Sequence, residues 1–147
     1  MASELCLQGI YAQLTLGHQK KTDLLVFFES GDLARIEVKA KQGREWPNCK
    51  GISGANTFIV FVDYEQHKLG QRPDFFVLDA KDWRGVLKRR VAEIQARNPK
   101  KRIEIVDNVS VFVDEIGRDG KPYKGMGIRP ADIEEFKERW DKISNTG

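Results

Sequence analysis

The sequence predicts a single α/β domain in which helices flank a central mixed β-sheet. The first observation is the chain length, because 147 residues are enough for one hydrophobic core and too few for two large ones. The second is a series of apolar runs, separated by polar segments, that is typical of buried strands. The third is the order of the elements, in which a helix precedes three strands and a fourth strand leads into a second helix.

The N-terminal third of the chain predicts a helix followed by a β-hairpin. Residues 3–16 carry an imperfectly periodic apolar face, and Ser3 is placed to cap a helix there. The apolar run at 23–28 predicts a buried strand. Residues 34–41 alternate strictly between apolar and charged side chains, which predicts a strand with one polar face. The turn signal at 30–32 joins the two strands.

The rest of the chain alternates between apolar runs and polar, glycine-rich segments. A helix is predicted where apolar residues recur at helical spacing, and it ends before Pro99. The predicted elements are a loop over 42–56, strands over 57–62 and 75–78, a helix from about 79 to 98, weak strands within 103–116, a loop over 117–127 and a closing helix over 130–143.

Composition and charge exclude several classes of protein. Hydrophobic residues make up 40% of the chain and charged residues 32%, which is unlike a disordered or fibrous protein. No apolar stretch approaches the ~18 residues of a transmembrane helix, and the first residues do not resemble a signal peptide. Cys6 and Cys49 have no metal-ligand spacing and are typical of free thiols in a reducing compartment. We therefore expect a cytoplasmic protein without a membrane partner.

The predicted hairpin carries a candidate site for metal-dependent phosphodiester cleavage. Such cleavage needs carboxylates that hold a divalent cation and a group that orients the attacking water. Glu37 and Lys39 are two residues apart on one strand and therefore share a face, about 6–7 Å apart. Asp23 begins the neighbouring strand and could share a cation with Glu37, with the backbone carbonyl of Val38 as a further ligand. Lys39 could then orient the water and stabilise charge on the phosphate.

Asp23, followed after thirteen residues by Glu37-Val38-Lys39, resembles the motif of the PD-(D/E)XK nuclease superfamily, which includes many restriction endonucleases and archaeal Holliday junction resolvases. The resemblance implies a restriction-endonuclease-like three-layer fold, with a core over about residues 3–95 and a C-terminal extension over about 100–147. It also implies that Asp23 and Glu37 bind Mg²⁺ or Mn²⁺, that Lys39 is catalytic, and that the substrate is duplex or branched DNA.

Two further residues are possible accessory members of this site. Glu4, on the first predicted helix, matches by order a glutamate that often joins the site in the superfamily. Gln42 follows the lysine-bearing strand and could contact the water or a phosphate, although a polar loop exit is an equally good interpretation. Thr22 stands where the motif usually has proline.

Positive charge is concentrated in one segment of the chain. Residues 81–102 hold nine lysine or arginine residues and two acids, although the net charge of the whole protein is only +3. Such a segment favours contact with a phosphate backbone, and a solvated helix face is the alternative. Trp46 either stacks on a nucleic-acid strand or folds under its own loop. The residues predicted to contact DNA are Lys21, Lys41, Arg44, Lys50, Lys88 and Arg89.

The function predicted from these features is a divalent-metal-dependent DNA endonuclease of DNA processing or defence. Because small nucleases that cut both strands usually pair their sites across a two-fold axis, a homodimer is expected. Two alternatives remain open. One is a nuclease-fold module that has lost activity and binds nucleic acid or a protein partner. The other is a metal-free protein in which Arg35, Glu37, Lys39 and Lys41 are the solvated face of a strand.

Overall fold

The central sheet is mixed and has five strands. The computed structural model describes residues 1–14 and 22–145. In spatial order the sheet is β1-β2-β3-β5-β6, with β3 and β5 parallel and the other neighbours antiparallel. The predicted α/β architecture with a central mixed sheet is therefore confirmed. The strands are β1 (Ala12–Leu14), β2 (Leu24–Phe27), β3 (Leu33–Lys41), β5 (Thr57–Asp63) and β6 (Asp74–Asp79).

Two smaller sheets and three helices complete the described residues. The fourth strand, β4 (Trp46–Cys49), pairs with β10 (Met126–Ile128). An antiparallel sheet contains β7 (Ile103–Val106), β8 (Val109–Ile116) and β9 (Pro122–Lys124). The helices are α1 (Ala2–Leu7), α2 (Ala80–Arg97) and α3 (Asp141–Ser144). None of the helices in the described residues has the length and apolar composition needed to cross a membrane.

The sheet separates two apolar clusters. The α2-side cluster contains Ile59 and Phe61 of β5 together with Trp83 and Leu87 of α2. The cluster on the opposite face contains Leu5, Leu24, Ile36, Val60 and Trp140, among others. Because β5 and β6 are covered on both faces, their sequences read as continuous apolar runs instead of alternating ones.

The long helix begins where the sequence predicts it. The Asp79 carboxylate accepts a hydrogen bond from the Asp82 amide, and the Asp82 carboxylate accepts one from the Asp79 amide. This reciprocal pair satisfies two backbone donors that the first turn of a helix leaves without partners. The helix then buries its apolar stripe against β5 and β6.

The predicted helix over 3–16 is wrong after Leu7 in the residues that the structure describes, and its residues 15 and 16 lie outside them. Gly9 adopts a φ of +74°, a conformation that ends a helix, and the Ile10 amide bonds back to the Leu5 carbonyl. The chain then turns into β1, which pairs with β2. The imperfect periodicity of this segment arises because it contains two different elements.

The predicted closing helix over 130–143 is also wrong. Two short 3₁₀ turns, Pro130–Asp132 and Glu134–Phe136, take up its first half. Lys137 then bridges to β6, and the Glu138 amide bonds to the Phe75 carbonyl at 2.9 Å. This segment covers the edge of β6, and its α-helix is limited to Asp141–Ser144. Ile133, Trp140 and Ile143 are nonetheless buried.

The predicted loops over 42–56 and 117–127 contain strands that the sequence analysis missed. β4 lies in the first of these loops, and β10 lies largely in the second. The ribbon that they form places Trp46 against the rings of Phe61 and Phe76 of the sheet. Residues beyond 100 therefore contribute to the same core as the central strands.

Candidate active site

The hairpin that carries the candidate residues forms as predicted. The ladder between β2 and β3 runs from Leu24 opposite Ile36 to Phe27 opposite Leu33. In β3, Ile36 packs into the cluster opposite α2, so its neighbour Glu37 projects from the α2 side of the sheet. There Glu37 lies beside Ile59 of the parallel strand β5. The site is therefore at the margin of the α2-side cluster.

Glu37 and Lys39 form an ion pair on this face. The Glu37 Oε1 lies 2.8 Å from the Lys39 Nζ. The Glu37 side chain is only 8% exposed, whereas that of Lys39 reaches solvent. The second oxygen, Glu37 Oε2, is buried and has no hydrogen-bond partner among the described residues. Because burying a carboxylate oxygen without a partner costs free energy, this atom is the unexplained polar group of the site.

Asp23 reaches the same strand from the end of β2. Its amide donates to the Ile36 carbonyl at 2.9 Å, and its Oδ2 accepts a hydrogen bond from the Val38 amide at 2.7 Å. The carboxylate therefore lies beside β3, between the positions of Glu37 and Lys39 along the strand. Since the amide and the carbonyl of one strand residue point to the same side, the Val38 carbonyl also points toward the Asp23 side of β3.

The surrounding charges keep Lys39 protonated. Burial pulls the pKa of Lys39 down, but the hydrogen bond to Glu37 and the nearby negative charges more than offset this effect. Asp23 is among the groups that raise the Lys39 pKa, which places it within electrostatic range of the ammonium group. The net result is a Lys39 pKa above its ordinary value. Lys39 can therefore donate hydrogen bonds and stabilise negative charge, but it is not a base near neutral pH.

Cys49 is a neighbour of the site that the sequence analysis did not include. Burial raises the pKa of its thiol to about 12, with Lys39 acting to lower that pKa and Glu37 and Glu45 acting to raise it. The thiol is therefore neutral at physiological pH and has no thiolate character. Nothing in the spacing of the sequence indicates this contact, because it depends on the position of β4.

The donor set for a cation is small. The described residues contain no group of three or more His, Cys, Asp or Glu side chains arranged to hold a metal ion. Mg²⁺, however, is usually held by one or two carboxylates and takes its remaining ligands from water and substrate phosphates. The buried Glu37 oxygen, which has no partner within residues 1–14 and 22–145, fits that kind of coordination together with the Asp23 carboxylate and the Val38 carbonyl.

Glu4 is not brought to this site. Its carboxylate lies 2.6 Å from the Arg72 guanidinium, which also pairs with Glu138 at 2.6 Å. Leu5, next to it on α1, packs into the cluster on the face opposite Glu37. The accessory role predicted for Glu4 is therefore corrected, because matching the order of elements does not fix the face of the sheet on which a helix packs.

Lys41 is not available to DNA, contrary to the prediction. Its side chain is 2% exposed, and its Nζ donates to Asp63 Oδ1 at 2.6 Å, to Glu65 Oε2 at 3.1 Å and to the Gly43 carbonyl at 2.8 Å. The ammonium group also lies 4.8 Å from the centre of the Trp46 ring. The strict alternation of β3 places Lys41 on the same face as Lys39, but the loop after β3 folds over it.

The other predicted DNA contacts differ in their environments. Arg44 and Lys50 are exposed on the segment that follows β3, and so is Gln42, which was predicted as an accessory residue of the site. Trp46 is buried in the α2-side cluster, so it folds under its loop and cannot stack on a nucleic-acid strand. Lys21 lies outside the described residues.

The basic segment is partly neutralised by acids. Lys88 is exposed on α2, whereas Arg89 pairs with Glu135 at 2.9 Å and also donates to the Asp132 carbonyl. Nearer the end of the segment, Lys101 pairs with Glu115 and Arg102 with Asp114. The positive charge counted in the sequence therefore overstates the charge that this surface offers to a phosphate backbone.

Comparison with protein families, with curated proteins and with solved structures found no match to this chain. The resemblance to the PD-(D/E)XK superfamily therefore remains a prediction that depends on Asp23, Glu37 and Lys39.

Proposed function

We propose that the protein is a divalent-metal-dependent endonuclease that hydrolyses phosphodiester bonds in DNA. The observation that carries this proposal is the Glu37 carboxylate, which is buried and lies beside a protonated lysine, and one oxygen of which has no hydrogen-bond partner in the part of the chain that the structure describes. A buried acceptor of this kind is stabilised by a cation. The Asp23 carboxylate on the neighbouring strand supplies a second hard oxygen donor.

Each residue has a definite task in this proposal. Glu37 and Asp23 would hold Mg²⁺ or Mn²⁺, with the Val38 carbonyl as a further oxygen donor. A bound ion would supply Lewis-acid polarisation of the phosphate and lower the pKa of a water ligand. Lys39 remains protonated, so it orients the attacking water through a hydrogen bond and stabilises the negative charge that develops on the phosphate.

A restriction-endonuclease-like three-layer arrangement is part of the proposal. It is supported by α2 packed on one face of the mixed sheet and by α1 and α3 beside the cluster on the other. A homodimer that pairs two sites is proposed with it, and the molar mass in solution by light scattering tests that point.

A cleavage assay tests the function directly. Supercoiled, linear, single-stranded and branched DNA are incubated with Mg²⁺ or Mn²⁺ and either the wild-type protein or the variants Asp23→Asn, Glu37→Gln and Lys39→Met. We expect each variant to lower the cleavage rate on the order of 100-fold or more, since even the outer partners of metal ligands are worth about 10–100-fold. Glu134→Gln and Lys121→Met, at exposed positions, are the matched controls and should cleave at the wild-type rate. Cleavage that persists in Glu37→Gln would refute the assignment of the site.

A catalytically silent nuclease-fold module is the second candidate. It is favoured by the small donor set and by the ion pair that already occupies Glu37 Oε1. Two results together would favour this candidate over the enzyme. The wild-type protein would cleave none of the four substrates, and the Lys39→Met variant would bind DNA more weakly than the wild type.

A further inference from the structure

We propose that the open face of the β2–β3 hairpin beside the candidate site binds an unpaired, single-stranded segment of nucleic acid. This inference deepens the proposed function and rests on it, because it gives the substrate of that site as single-stranded or branched DNA in preference to a continuous duplex. It also makes a binding prediction that can be measured without cleavage.

The hairpin presents a row of side chains that ends at the carboxylates. Phe27 and Leu33 lie opposite each other across the ladder and are 47% and 37% exposed. Arg35, Glu37 and Lys39 follow Leu33 along the same face of β3 at two-residue intervals. With about 3.3 Å per strand residue, the Phe27–Leu33 pair lies about 13 Å from Glu37 along the strand. The row is short enough for two or three nucleotides to follow it.

Among residues 1–14 and 22–145, the elements that pack on this side of the sheet lie away from this part of the face. α2 packs on β5 and β6, and the β4–β10 ribbon reaches β3 near Lys39 and Lys41, so both leave Leu33 and Arg35 exposed. Arg35 is exposed and forms no ion pair with any residue that the structure describes. An exposed aromatic side chain and an arginine without an ion pair among the described residues therefore adjoin the candidate site on this face of the sheet.

The chemistry of this surface fits a single strand better than a duplex. Exposed aromatic rings on a sheet bind unpaired bases by stacking, whereas the bases of a duplex are already stacked on one another. Arg35 is placed between the apolar pair and the carboxylates, where it can contact a backbone phosphate. A stable protein interface usually buries about 800 Å² on each partner, and two apolar side chains beside a cation are a small part of that area.

Binding measurements in EDTA, where metal-dependent cleavage does not occur, test the inference. Fluorescence anisotropy measures the affinity of the full chain for a labelled 12-nucleotide oligo(dT) and for a 12-base-pair duplex. We expect Phe27→Ala and Phe27→Leu to weaken oligo(dT) binding about tenfold, within the range given by the stacking of one base. Phe27→Trp should bind like the wild type, because it keeps a ring for stacking. Tyr64→Ala, the exposed aromatic control, should also bind normally.

The role of Arg35 is tested separately, by the salt dependence of oligo(dT) binding. Arg35→Gln should weaken oligo(dT) binding and reduce the slope of log affinity against log salt by about 0.7, the amount expected for one lost contact with a single-strand phosphate. Arg118→Gln, an exposed arginine on the β8–β9 loop, is the control and should leave the slope unchanged.

Several results would overturn the inference. One is an unchanged oligo(dT) affinity in both Phe27→Ala and Phe27→Leu. Another is a loss of duplex affinity in these variants equal to their loss of oligo(dT) affinity. A third is a dimer that sedimentation detects and that depends on Phe27, because it would assign this face of the hairpin to contact with a second copy of the chain. Failure of the proposed function gives a different result. If no DNA is cleaved while oligo(dT) binding still depends on Phe27, the enzyme fails and the binding surface stands.

Discussion

Removal of the buried ammonium group of Lys41 has an effect on stability that can be predicted in magnitude. Lys41→Met keeps most of the apolar stem that packs near Trp46 but removes the charge that pairs with Asp63 and Glu65. Asp63 is only 9% exposed, so the substitution leaves a carboxylate without its cation in a largely buried place. Removing one partner of a buried pair usually costs about 3–5 kcal/mol.

The lower end of that range is the expected cost. Glu65 is partly exposed and can regain water, and the Glu65 amide continues to donate to Asp63 at 2.8 Å. We therefore expect Lys41→Met to lower the free energy of unfolding by about 3 kcal/mol, which corresponds to a fall in Tm of about 6–12 °C for a chain of this size. Urea unfolding followed by circular dichroism measures this change, with an unchanged m-value as the sign that the unfolded state is the same.

Two further variants make the reasoning refutable. Lys101→Met removes a lysine whose ion pair with Glu115 is largely exposed, and it should cost less than about 1 kcal/mol. Adding Asp63→Asn to Lys41→Met removes the carboxylate charge that has lost its cation, and it should restore part of the lost stability. A cost of less than about 1 kcal/mol for Lys41→Met, or strict additivity of the two changes, would show that the pair is not the buried interaction described above.

Three other predictions follow from the same packing and charges. Gly51→Ala should lower the free energy of unfolding by at least about 2 kcal/mol, since Gly51 has a φ of +75° and a Cβ there would overlap a buried tryptophan ring. Urea titration measures this change, and a variant as stable as the wild type would contradict the prediction. In the native protein at pH 8, the exposed Cys6 should react with a thiol reagent while Cys49 should not, because burial raises the pKa of the Cys49 thiol to about 12. Two reactive thiols per chain before unfolding would contradict this prediction. Because the hydrogen bond to Arg72 holds the pKa of Glu4 below its ordinary value, this pair stabilises the fold at neutral pH and its contribution is lost as the pH falls below about 4.5. Arg72→Met should therefore flatten the fall in Tm between pH 5 and about 3, and an unchanged pH profile would exclude this linkage.

The parts of the fold that the sequence predicts correctly are those with strong local signals. Alternation of apolar and charged residues predicts β3, and continuous apolar runs predict β5 and β6. The acidic pair Asp79 and Asp82 marks the start of α2. β4 and β10 have no such signal, since each is short and its partner lies almost eighty residues away in the chain. Their existence depends on tertiary pairing, which a single sequence does not display.

The candidate site shows the same limit at the level of single side chains. Glu37, Lys39 and Lys41 occupy equivalent places in the alternating pattern, and the pattern alone makes all three the polar face of one strand. In the folded chain Lys41 is enclosed by Asp63, Glu65 and the Trp46 loop, while Lys39 still reaches solvent. The difference arises from Asp63 at the end of β5 and Glu65 just after it, because they neutralise the lysine at the end of the parallel strand β3. Strand periodicity therefore identifies which residues share a face, whereas their access to a substrate depends on the elements that pack over that face. Glu37 is the informative member of the set, because only the folded structure reveals that one of its oxygens is buried without a hydrogen-bond partner among the described residues.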